Sequence, residues 1–292
     1  MLVDESLAAL RQLSWQITPE TRAAHHALFS PLHEQCGYLA PVVHRDLPYG
    51  ADARQRLDVH TAPDAAGRPV LVFVHGGGFV AGGKTVPGSP FYDHIGGWAA
   101  RHHLVAVTMT YRLAPEHRWP AGAEDVADAV SWVHQHIAEH GGDPDRIILM
   151  GHSAGGAHVA GYLAGQAGTA MPGVAAAVLL SAFFDPALVH DQPTIRAYFG
   201  DDFDRYPVQS SVAGLVECKS PLLIATAERD LPPCHRQATT LLDAMQTAGR
   251  PHPLFLTIPD HTHLSEIYSL GLDDEAFGGI LARFVSRLPL TK

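Results

Sequence analysis

Ile147-Ile148-Leu149-Met150-Gly151-His152-Ser153-Ala154-Gly155-Gly156 is the stretch that decides the fold. Four apolar residues suited to a strand run into Gly-x-Ser-x-Gly, and small residues suited to a helix leave it from Gly155. A strand that turns at once into a helix forces strained dihedrals on Ser153. Its neighbours at 151 and 155 must then lack side chains so that the two backbones can pass. The turn lifts the hydroxyl clear of the sheet, and the helix aims its N-terminus, worth about half a positive charge, at any anion forming there. The pentapeptide alone arises by chance in glycine-rich chains, where it is a plain structural turn. Its strand-turn-helix setting makes Ser153 a candidate nucleophile.

Working outward, short apolar runs alternate with longer helical patterns. The expected strands are Arg56–His60, Val70–Val74, Leu104–Tyr111, Arg146–Met150, Ala176–Ala182, Pro221–Ala227 and Pro253–Ile258. Val70–Val74 is apolar throughout, as in a parallel strand covered on both faces. The expected helices are Phe91–His102, Ala121–His140, Gly155–Gln166, Pro233–Ala248 and Asp273–Leu288. In Ala121–His140, Val126, Ala129, Val130 and Val133 share one face, and Gly141-Gly142 supplies the stop. The alternation implies one α/β domain over residues 1–292, a doubly wound, mostly parallel sheet with helices on both faces. Two regions break it. Residues 1–47 suggest one or two helices, Glu5–Leu13 and Pro19–Phe29, that could form a small cap, and residues 187–217 read as an irregular connector or lid.

A second motif, His75-Gly76-Gly77-Gly78-Phe79, directly follows Val70–Val74. Three glycines let backbone N–H groups approach a ligand unobstructed, which an oxyanion hole requires. The segment lacks the Gly-Lys-Ser/Thr of a nucleotide-binding loop. Gly77, Gly78 and Ala154 are the candidate N–H donors. Phe79 and His152, beside the glycine loop and the serine, are the candidate substrate contacts.

Together with Tyr111-Arg112-Leu113-Ala114-Pro115-Glu116-His117, these motifs resemble the α/β-hydrolase superfamily. More narrowly, they resemble hormone-sensitive-lipase-like esterases and the kynurenine formamidase and feruloyl-esterase-like group, over about residues 50–285. The lipase-like pattern commonly has Asp before the serine, whereas His152 here is similar to the formamidase and feruloyl-esterase side. The resemblance implies hydrolysis of carboxylic esters, mostly of short acids, or of the formamide of formylkynurenine, without a cofactor.

A serine hydroxyl needs a base, and the base an orienting acid. In this fold the acid precedes the histidine in the chain. Leu222–Ala227 ends in Glu228-Arg229-Asp230, and Asp230-Leu231-Pro232-Pro233 looks like the family's acid loop, leaving Glu228 as the rival. In Pro259-Asp260-His261-Thr262-His263-Leu264 the family loop aligns with Thr262-His263-Leu264-Ser265 and selects His263, with His261 as the alternative. His261 and His263 could also bind zinc, but no Cys or acidic cluster at ligand spacing accompanies them, so no metal is expected. His158 reads as a packed histidine, and His25-His26, His102-His103 and most of the twenty histidines as surface residues. Asp125 is expected to support a loop, and Tyr111, Arg112 and Glu116 to brace the glycine loop. Phe79, Phe183, Phe184, Tyr198 and Phe199 could line an acyl or aryl pocket or simply belong to the core.

Bulk properties narrow the partners. A formal net charge of −10 argues against nucleic acid or an anionic membrane surface. No apolar run approaches the roughly 18 residues of a membrane span. Met1–Leu10 lacks the basic start of a signal peptide, and Cys36, Cys218 and Cys234 suit reduced thiols, so a cytoplasmic location is expected. The expected partner is a small ester or amide, with a homodimer suggested by fold-level analogy only. The reading is a serine carboxylesterase for short-chain or aromatic esters. The rivals are an arylformamidase with the same triad, a non-catalytic binding module, and a metal-dependent hydrolase using His261 and His263.

Overall fold

The computed structural model describes residues 4–168, 172–272 and 277–288. Its centre is an eight-stranded sheet of β1 (Val42–Pro48), β2 (Arg56–Thr61), β3 (Arg68–Val74), β4 (Val105–Met109), β5 (Gly142–His152), β6 (Val174–Leu180), β7 (Leu222–Arg229) and β8 (Leu254–Thr262). The spatial order is β1-β2-β4-β3-β5-β6-β7-β8. β2 runs antiparallel to both β1 and β4, and every other neighbouring pair is parallel. The expected mostly parallel sheet is thus present. β1 is a correction: it lies in a segment read as purely helical, because His44, Arg45 and Asp46 hide its apolar pattern.

The apolar runs explain why the sheet has two covered faces. Along β3, Val70, Val72 and Val74 enter one core cluster with Val126, Val130 and Val133 of α4 (Ala121–His136). Leu71 and Phe73 enter the other, with Ile95 and Trp98 of α3 (Asp93–Arg101). Period-two side-chain alternation therefore produces a run apolar throughout. The predicted helix to His140 ends earlier as α-helix, its last residues Ile137–His140 tightening into a 3₁₀ turn before Gly141.

The two irregular regions resolve differently. α1 (Asp4–Gln12) and α2 (Pro19–Cys36) lead into β1, with Thr18 capping α2 through reciprocal bonds with Thr21. The 187–217 segment is more ordered than its composition suggested. It holds three short helices, Pro193–Phe199, Tyr206–Gln209 and Val212–Glu217. The predicted start of the last helix at Asp273 lies outside the described residues; the helix is observed over Gly278–Ser286. Among the described residues, no helix is long and apolar enough to cross a membrane.

Among the described residues nine of the twenty histidines are buried, so the surface reading holds for a narrow majority and is corrected for His25. His25 is 1% exposed, and its Nε2 lies 2.7 Å from Thr262 Oγ1, fastening α2 to the end of β8. His102 and His103 are exposed as expected.

Candidate active site

All the candidate site residues sit at the C-terminal edge of the parallel strands, where open α/β sheets bind ligands. Val74 pairs with Gly151, so the glycine loop after β3 emerges beside the serine turn after β5. Ser153 has φ 55° and ψ −122°, outside the ordinary regions for a side-chain-bearing residue. α5 (Ala154–Leu163) starts at the next residue. A Cβ at Gly151 would fall 2.5 Å from Gly155 O, and one at Gly155 would fall 2.1 Å from Val74 O. Both positions therefore require glycine on distance alone.

Asp230 follows β7 and His263 follows β8, adjacent strands that bring the two loops together. His263 Nδ1 lies 2.7 Å from Asp230 Oδ1, both groups buried. Asp230 also accepts from Leu231 N–H at 2.7 Å and from the Ser181 hydroxyl. Burial would raise the Asp230 pKa; the His263 charge and these hydrogen bonds outweigh it and bring the value below the ordinary carboxylate range. The rivals stand elsewhere. Glu228 is exposed and accepts from Asp260 N–H, and His261 Nδ1 lies 3.1 Å from Ser265 Oγ.

Ser153, His263, Gly77 and Gly78 line one cavity of about 770 Å³. No hydrogen bond joins Ser153 to His263 among the described residues, a looseness common when no substrate is bound. Gly77 has φ 139° and Gly78 φ 61°, and Gly77 O accepts from Ala81 N–H at 3.1 Å. Tyr111 Oη donates to His75 O at 2.9 Å, and Ala114 N–H to Phe79 O at 3.0 Å, bracing the glycine loop. Arg112 instead pairs with the buried Asp125, at 2.8 Å from Nε, as the expected loop support. Glu116 is exposed and makes no hydrogen bond or ion pair with the glycine loop among the described residues. Ala154 is buried at the start of α5.

Phe79 lines the cavity, its ring stacked 4.7 Å from that of Tyr198. Phe183 lines it as well, whereas Phe184, Tyr198 and Phe199 lie behind it. His152 reaches the cavity edge, but its Nε2–H donates to His263 O at 2.8 Å. Burial, then repulsion from His263, pulls its pKa down to about 3, so the ring is neutral with its proton on Nε2.

Sequence reading missed several residues here. Glu266 is fully buried, with Oε1 3.4 Å from His152 Nε2. Burial, reinforced by Asp230, pushes its pKa well above the ordinary value, so it is held as the neutral acid. Cys234 Sγ lies 3.8 Å from His263 Nδ1. The donor groupings His152-His263-Glu266 and Asp230-Cys234-His263 are assembled from distant parts of the chain, which sequence spacing does not reveal, and neither includes His261. His263 Nδ1 and Asp230 already stand at direct hydrogen-bond distance. Trp15, Ile17 and Arg22, from the N-terminal helical segment, also line the cavity. No local motif marked them; only packing of that segment across the site reveals them.

Comparison with known proteins bears on the family and the fold. A probable isoprenylcysteine alpha-carbonyl methylesterase of Arabidopsis thaliana is 36% identical over 137 residues, covering 46% of this chain and 28% of that protein. An esterase of Mycobacterium tuberculosis, LipQ, is 40% identical over 125 residues, covering 41% and 28%. The matches thus span little more than a quarter of these relatives' own length. Among solved structures, a Pyrobaculum calidifontis esterase superposes with TM-score 0.69 at 23% identity, covering 98% of this chain and 97% of that one. That likeness concerns the fold. A model of the alpha/beta hydrolase fold family matches residues 71–263, from β3 through the histidine after β8, and the chain belongs to that family.

Proposed function

We propose that the protein is a serine carboxylic ester hydrolase acting on short-chain or aromatic esters through an acyl-enzyme. The observation that supports this most is the 2.7 Å His263–Asp230 bond opening onto the same cavity as Ser153. Relatives named esterases, though matched over a fraction of their length, agree with it.

The Ser153 hydroxyl attacks the carbonyl carbon while its proton passes to His263 Nε2. Asp230 holds the opposite ring nitrogen and stabilises the imidazolium. The N–H groups of Gly77, Gly78 and Ala154 receive the oxyanion; each such donor is typically worth about 10²–10³ in turnover. The tetrahedral intermediate collapses, and His263 gives its proton to the departing alkoxide, leaving Ser153 acylated. Water then attacks the acyl carbon, losing its proton to His263. Ser153 leaves, recovers that proton, and the acid is released. Phe79 and Phe183 give the cavity an aromatic wall for a small acyl or aryl group.

The test is hydrolysis of nitrophenyl esters from acetate to dodecanoate by the wild type and Ser153→Ala. Turnover of acetate or butyrate, lowered about 10⁶-fold in the variant, is expected for a nucleophile of this kind. A variant that keeps its activity would remove Ser153 from the mechanism, and a wild type inert on every ester would sink the esterase reading.

A further inference from the structure

The chain is acidic, with 30 Asp and Glu against 20 Lys and Arg. Its serine-bearing cavity reverses that balance. Among the described residues that line it, Arg22 is the one Lys or Arg, and no Asp or Glu accompanies it. Some arginines elsewhere pair with carboxylates, as in Arg11–Asp260, Arg45–Asp93 and Arg112–Asp125, and others, such as Arg54 and Arg229, bond backbone carbonyls. No ion pair occupies Arg22 among the described residues.

Arg22 is exposed to solvent and also lines the cavity, so its charge acts at the cavity mouth. Burial dominates the pKa of His26, Tyr92, His152 and Tyr268, lowering the two histidines and raising the two tyrosines, while Arg22 adds a smaller downward pull on each; all four line the cavity. The helix that carries it is anchored. Arg22 lies on α2, which the His25–Thr262 contact at 2.7 Å and the His33–Tyr268 O contact at 2.7 Å fasten to the segment carrying His263. Beside it, Trp15 and Ile17 remain 43% and 36% exposed and line the same cavity. An apolar wall with one cation on an anchored helix and no competing anion suits a ligand with an apolar body and an anionic end.

We propose that Arg22 is a specificity residue that binds a carboxylate carried by the substrate away from its scissile carbonyl, so that the site prefers anionic esters to neutral ones of the same shape. This rests on the ester-hydrolase reading above.

The experiment compares two matched pairs. 4-Carboxyphenyl acetate and its methyl ester place the charge on the leaving group. 4-Nitrophenyl hydrogen suberate and its methyl ester place it on the acyl chain. In at least one pair the wild type is expected to favour the anionic member about 10-fold in kcat/KM, mainly through KM, as for a charge-assisted hydrogen bond partly screened by water. Arg22→Ala should collapse that ratio towards one and Arg22→Lys should restore part of it. The ratio does not depend on the amount of folded variant. Turnover of the neutral esters with no anionic preference in either pair overturns this proposal alone, as does a preference that survives Arg22→Ala. Inactivity of the wild type on all four esters overturns the hydrolase reading and this proposal with it.

Discussion

His152 Nε2–H donates to His263 O at 2.8 Å, and the two rings stand 4.8 Å apart. The residue before the candidate nucleophile thus holds the backbone of the loop that carries the candidate base. His152 is 2% exposed, and its tautomer is fixed because a carbonyl can only accept. Coupling the two loops this way sets where His263 stands relative to Ser153.

His152→Ala should therefore lower kcat while the protein stays folded. A displacement of about 1 Å in a reacting group can cost on the order of 10²-fold. Ester kinetics alongside near-ultraviolet circular dichroism would check this. An unchanged kcat in a folded variant would show that the bond does not position His263.

Glu266 should behave as a buried neutral acid. Its pKa is raised on folding, so folding takes up a proton once the unfolded chain is ionised. The carboxyl's contribution is complete below about pH 4.5 and is lost as pH rises towards the folded value. Glu266→Gln imitates the protonated form. Its stability relative to wild type should improve steadily from pH 5 to pH 8 in urea titrations, and a difference independent of pH would contradict the neutral assignment.

Gly77→Ala combines two penalties. The new Cβ would fall 2.0 Å from Ala81 O, and φ 139° suits glycine alone. The glycine loop must shift, and the loss of one proposed oxyanion donor predicts a fall in kcat of about 10²–10³-fold. Gly37→Ala is the control, because φ 73° is strained there too but nothing lies within 4 Å of the new Cβ. Equal effects on kcat would exclude a special role for the loop.

Low pH should destabilise the fold through its buried histidines. Burial foremost pulls His33, His60 and His75 down to about 4, and His152 and His158 down to about 3. Unfolded, they titrate near 6.5. Between pH 6.5 and 4 the unfolded chain therefore binds more protons, and stability falls as pH falls. The upper bound is about 1.4 kcal/mol per histidine per pH unit. Asp230, with its lowered value, adds a loss only below about pH 4. The urea midpoint should decline continuously from pH 6.5 to pH 4.5; a flat profile would show that these rings are already open to water.

The sequence by itself determined the parts of the fold that local chemistry controls. Val70–Val74 and Ile147–Met150 are apolar on both faces, and Gly151 and Gly155 admit only one turn geometry, so the parallel strands and the serine elbow were legible. Ser153, the glycine loop and the order acid-then-histidine follow from motifs a few residues long, and the family resemblance narrowed the choice to Asp230 and His263. Tertiary structure alone decided what depends on residues far apart in the chain. β1 exists because its backbone pairs with β2, although its side chains are mostly polar. Glu266 and Cys234 approach His263 because β7 and β8 are neighbours, and their burial, rather than any local pattern, fixes their protonation. Arg22 enters the cavity because α2 packs against the loop after β8. Local motifs record the dihedrals and spacings a turn demands, but the charge and shape of a pocket arise only when separate segments exclude water together.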